Sequence, residues 1–350
     1  MAKLTRALAA ESLVANIYYN GVEAVENGFD AKKPWSDIKE IVDKYGNVWI
    51  QIPKFYTKYV LDETGAIKER YISEFNGGTG WHLNPLFKNS QGKEIDYVQI
   101  SKYLLSVSSG KVYSKSGESP IFKQFPATVR TQIDAYEDED TFGYEHSSFD
   151  IWALIALQDL CIVEFATSDV TSVVKGKTIS FYQNGGIDKN GTTDNVGVAE
   201  VQTTGTAATS ASLDDGRSCM KYRGLENLWG NGRLFIDGIQ IRNGKVYYCT
   251  NPANYSDNTA YIESAITPTH DSGVVHQLCF DENSGLVLPK TVKESGSYGD
   301  YCSIPKDVAN GYFYLGGDGT RQGLYSFQTG LVNATSAYNY SVFRMIRKPE

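Results

Sequence analysis

Apolar residues surround most of residues 147–165, SSFDIWALIALQDLCIVEF, and this segment predicts the chain's main helix. Trp152, Ile155, Ile162 and Phe165 share much of one broad face, so the helix is expected to be heavily buried. Ser147 and Asp150 have the S-x-x-D spacing of a capping box. Glu164, near its end, is either a buried acid or, as is commoner, turned to the rim. Helical spacing also recurs at Leu4, Leu8 and Leu13, and a second short helix is predicted over PWSDIKEIVDKYGN, residues 34–47.

From Asn47 the period changes. VWIQIPKFYTKYV, residues 48–60, alternates and is β-branched and aromatic, which predicts strand. EIDYVQISKYLLSVSSGKVYS predicts a strand pair turning at SSGK, and FIDGIQIRNGKVYYC a hairpin turning at RNGK. NGGTGWHLNPLF is a punctuated loop, and residues 183–216, rich in Gly, Asn, Thr and Ser, predict long irregular connections. One helix-bearing segment among many short strands gives an α+β chain with a mostly antiparallel sheet. Residues 1–46 are expected to form a helical docking or oligomerisation segment, or a plain edge helix, ahead of a domain over residues 47–350.

Composition narrows the function classes. The chain has 350 residues, a formal charge of −8 and no dense Lys/Arg run, so nucleic acid is not an expected partner. No stretch reaches the length of a membrane span, and membrane insertion is not expected. The 24 tyrosines suit either contact surfaces or a β-rich core of half-buried rings. Cys161, Cys219, Cys249, Cys279 and Cys302 are odd in number and widely spaced, which favours reduced thiols made in a cytoplasm.

Motifs for catalysis are missing. His82, His146, His270 and His276 form no H-E-x-x-H or H-x-H, and no Cys/His cluster has metal-ligand spacing. GGDGT, residues 316–320, lacks phosphate-loop spacing. DKNGTTDN, residues 188–195, resembles half a calcium loop without the closing bidentate Glu. No G-x-S-x-G occurs. Neither an enzyme, a metal nor a cofactor is expected.

The segment GLYSFQTGLVNATSAYNY, residues 323–340, sets large aromatics on a small-polar background. With MKYRGLENLWGN followed by FIDGIQI, and with WIQIPKFYTKYV, WHLNPLF and GYFYLGGDGTRQGLYSFQTG…SVFR in the same order, the chain resembles bacteriophage tail-associated proteins of C-type-lectin-like fold, akin to the formylglycine-generating enzyme. The resemblance runs from about residue 47 to residue 347. It departs from the group's usual look at Gly232 and Arg233 and after Gly317.

The resemblance implies a phage tail receptor-binding protein, made in a bacterial cytoplasm and carried on the virion. Its partners would be a host cell-surface protein or glycan and other tail proteins, and it would form a homo-oligomer, with trimers common in the group. It implies a ligand-binding segment over residues 311–347, of the kind a diversity-generating retroelement rewrites. The residue types that suit such a face are Asp318, Thr320, Gln322, Tyr325, Phe327, Asn333, Tyr338, Asn339 and Tyr340. Trp152, Trp229 and Asn231 would belong to the core, with Arg223, Glu226 and Arg344 as buried polar struts. The alternatives are a structural tail or baseplate component without its own receptor, and a bacterial surface ligand-binding protein of the same fold. The close cysteine pair of the enzyme and the E-P-N or Q-P-D triplets of calcium-dependent lectins are absent.

Overall fold

The computed structural model describes residues 28–137, 143–172, 174, 176, 187–194, 208–209, 219–316, 322–331 and 341–350. The helical spacing read near the N-terminus lies outside them. Two α-helices, α1 (Pro126–Glu137) and α2 (Ile151–Phe165), sit among many short strands. The fold is α+β and mostly antiparallel.

A five-stranded sheet runs in the order Lys39–Val42, Val48–Pro53, Tyr97–Ser101, Met345–Pro349, Tyr144–Ser148, with every neighbouring pair antiparallel. A second sheet orders Ile262–Glu263, Lys245–Tyr248, Arg233–Arg242, Gly311–Leu315 and Phe327–Leu331. Ser341–Val342 adds to it, parallel to the start of the Arg233 strand. Both two-residue turns read from the sequence are present. Ser109–Gly110 (φ 52° and 78°) and Asn243–Gly244 (φ 50° and 79°) supply the paired left-handed residues that match the twist of a hairpin.

Helix α2 is buried along its whole length, polar residues included. Its first turn is capped by Asp150, whose carboxylate accepts from the Ala153 amide at 2.8 Å. Ser147 takes no part in a capping box. It belongs to the Tyr144–Ser148 strand, opposite Ile346, because the chain stays extended until Asp150. The helix ends where Ala166 turns left-handed at φ 53°. Glu164 is fully buried and not at the rim. The Tyr222 hydroxyl donates to it at 2.8 Å, and the Arg223 guanidinium donates through Nε at 3.1 Å and again through Nη2. Arg223 also reaches Asp30 at 2.9 Å.

The helix expected over residues 34–47 does not form. Trp35–Asp37 is a single 3-10 turn, and Lys39–Val42 is the edge strand of the five-stranded sheet. The reversal between that strand and the next is held by Asp43, whose Oδ1 accepts from the amides of Tyr45 and Asn47, both at 2.9 Å. That turn pairs the segment with Val48–Pro53, and strand pairing outweighs local helical spacing. Phe29 and Trp35 are buried in the same core as α2, so residues 28–46 belong to the main body.

The Glu164–Arg223 pair yields a prediction. Glu164→Ala leaves a guanidinium buried with only the partly exposed Asp30, and should lower unfolding stability by about 3–5 kcal/mol in urea titrations. Glu294→Ala, on the surface, should change it by less than about 0.5 kcal/mol.

Candidate functional site

The candidate ligand-binding segment is carried on the second sheet. Gly311–Leu315 lies between the Arg233–Arg242 strand and Phe327–Leu331, with Leu315 opposite Phe327 and Gly311 opposite Leu331. A side chain at Gly311 would meet Val308 Cγ1 at 2.6 Å, so the strands close only on a glycine. The described parts of the segment, residues 311–316, 322–331 and 341–347, are thus tied to this sheet and, through Met345–Pro349, to the first one.

The return stem is tied down from several sides. The Gly316 amide donates to Ser326 O at 2.9 Å and the Gly323 amide to Ser326 Oγ at 2.9 Å. Gln158 of α2 donates through Nε2 to Leu324 O at 2.6 Å. The Tyr325 amide donates to Asp300 Oδ2 at 2.9 Å. A side chain at position 323 would stand 2.3 Å from Asp300 Oδ1, so only glycine lets the turn press against that carboxyl.

Three of the expected contact residues are spent on this stem. Tyr325 is fully buried, edge-on to Tyr298 with ring centroids 5.1 Å apart, and the Arg70 guanidinium lies 5.8 Å from its ring centre. Phe327 is fully buried edge-on to Phe313. Gln322 is buried as well. None of the three faces solvent. The strand pairing and the tied turn drive these rings inward, and their polar neighbours serve the turn itself. Asp318, Thr320, Asn333, Tyr338, Asn339 and Tyr340 lie outside the described residues.

The expected struts meet around the base of this segment. Arg344 is buried and donates through Nη1 to Ser101 O at 2.7 Å and Lys102 O at 2.8 Å, and through Nη2 to Glu226 O. The Glu226 carboxylate accepts from the Gly191 amide at 2.8 Å, the Thr193 amide at 2.8 Å and the Thr193 hydroxyl at 2.6 Å. Asn231 exchanges two 2.9 Å bonds with the backbone of Asp188. Glu226 and Asn231 thus pin residues 188–194, the stretch resembling half a calcium loop. Buried Asn190 and Thr193 make it a packed turn rather than a solvated one. Among the described residues no group of three or more His, Cys, Asp or Glu could hold a metal ion. Trp152 and Trp229 are core residues, and Trp152 Nε1 donates to Cys249 O at 3.1 Å. All five cysteines are free thiols.

Other supports had no local signal in the sequence. Arg70 pairs with Asp159 of α2 at 2.6 Å across 89 positions of chain, and the Tyr59 hydroxyl donates to the same carboxylate. Burial raises the Asp159 carboxyl, while Arg70 and Tyr59 oppose it. Burial pushes the Asp300 carboxyl up to about 8, against the pull of the Tyr325 amide. No protein-family model matches the chain, and no curated protein matches it.

Asp300 gives a pH prediction. Its folded pKa lies above its unfolded value, so its contribution is complete below about pH 4 and is lost as pH rises toward about 8. The stability of the native protein relative to Asp300→Asn should fall steadily across that window in urea titrations. A second prediction concerns the stem. Phe327→Ala should cost about 3–5 kcal/mol, the magnitude of an emptied core site, measured by thermal or urea unfolding.

Proposed function

We propose that this chain is a non-catalytic receptor-binding protein of a bacteriophage tail, built on a C-type-lectin-like domain. Made in a bacterial cytoplasm and carried on the virion, it recognises a protein or glycan on the host cell through its C-terminal segment. The observation that carries the reading is the anchoring of that segment. Its described parts are fixed by strand pairing, by Gln158 of α2 and by Asp300, while Asp318, Thr320, Asn333, Tyr338, Asn339 and Tyr340 fall in the sequence between them. Such a division lets contact residues change without disturbing the core.

The C-type-lectin-like assignment is supported by the late strand Met345–Pro349 returning into the sheet of the early strands, and by a buried helix packed against the Arg233–Arg242 strand of the second sheet. Tyr side chains would supply rigid contact area and Asn and Thr adaptable hydrogen bonds. Several copies per virion, in a trimer or larger assembly, would convert weak single contacts into avidity.

The test is adsorption of the purified, fluorescently labelled chain to intact cells of a panel of bacterial species. The native protein should stain at least one species. Replacing Asn333, Tyr338, Asn339 and Tyr340 together by serine should weaken staining by about tenfold or more with unfolding unchanged. Unchanged staining would show that the face lies elsewhere. Staining of no species, together with incorporation into tails, would favour the structural tail component.

A further inference from the structure

A cleft of about 510 Å³ opens between α1, the Tyr144–Ser148 strand and the turn at Pro252–Asn254. No residue of the 311–347 segment lines it. Its size falls within the range of small-molecule sites, about 300–1,000 Å³. Arg130 is the one cation among its lining residues, and it is paired with a buried carboxylate. Its Nε and Nη2 donate to the two oxygens of buried Asp237, both at 2.7 Å. The pair is neutral as a unit, so it offers no net positive charge to an anion.

The remaining polar wall is made of acceptors and hydroxyls. Glu145 accepts from the Ser90 amide at 2.7 Å and from its hydroxyl at 2.5 Å, which fixes the carboxylate at the wall. Ser148 is 4 % exposed, and its hydroxyl has no hydrogen-bond partner among the described residues. A buried hydroxyl in that state costs free energy until something bonds to it. Burial lowers His146 to about 4, so its ring stays neutral at physiological pH. Pro252 and Ala253 add an apolar side to the cleft.

An apolar ligand would leave the Ser148 hydroxyl dry and without a partner. A phosphate or carboxylate ligand would meet the Glu145 and Asp134 carboxylates, with Arg130 already paired to Asp237. A pyranose ring satisfies both constraints, with C–H faces for the apolar side and hydroxyls that donate to carboxylates and accept from serine. We infer that this cleft is a binding site for a neutral saccharide of one or two rings, separate from the C-terminal segment.

Saturation-transfer NMR on the intact protein tests it, using the methyl glycosides of glucose, galactose, mannose and N-acetylglucosamine, with spermidine as a cationic counter-probe. At least one glycoside should receive saturation from the protein. Ser148→Ala should weaken that binding by about three- to tenfold. Thr131→Trp or Ala127→Trp, each at an exposed position of α1 on the cleft wall, should abolish it while thermal unfolding is unchanged. Silence from all four glycosides would overturn the inference. So would binding of spermidine alone, or a glycoside signal that survives all three substitutions.

Discussion

The structure depends on the demands of a helix with no exposed face. Helix α2 carries Gln158, Asp159 and Glu164 into an apolar interior, and a buried polar group without a partner costs several times what a satisfied one returns. Each of the three therefore dictates the position of a different peripheral element. Gln158 holds the 322–326 turn through Leu324 O. Asp159 draws in Arg70 and Tyr59, from two strands of a separate sheet. Glu164 fixes Tyr222 and Arg223, and through Arg223 the segment at Asp30. Hydrophobic burial decides that α2 is central, and these polar contacts decide what surrounds it.

A second set of charges works at longer range. Arg344 gathers three carbonyls, those of Ser101, Lys102 and Glu226, and so fastens the end of the candidate segment to the first sheet. The carboxylate of that same Glu226 holds residues 191 and 193. Backbone and side chain of one residue thus couple two regions that no strand pairing among the described residues joins, with hydrogen bonds of the strong, charge-assisted kind.

How much could be read in advance follows from the range of each signal. The hairpins at SSGK and RNGK and the helix ending at Phe165 rest on local patterns, and they form where those patterns lie. Lys39–Val42 also has a local pattern, but a pairing partner overrides it, with the Asp43 turn as the missed clue. Glu164 and its Arg223 are 59 residues apart, and nothing near either announces the other. Tyr325 and Phe327 show a different limit. Aromatic residues among small polar ones describe an exposed contact loop and a tightly bonded turn equally well, and only the register against Gly311–Leu315 separates the two. Asp300 has no sequence signature, because what makes it matter is a glycine turn pressed against it from 23 residues later.

The strand Met345–Pro349 occupies an interior position of the five-stranded sheet although it lies at the very end of the candidate segment. Its partners, Tyr97–Ser101 and Tyr144–Ser148, are translated some two hundred residues earlier and must wait for it. A reading frame broken anywhere between residues 332 and 340 would deprive the sheet of that strand, and the product would expose two unpaired edges. The first sheet therefore closes only in chains whose reading frame is intact through the segment to residue 349.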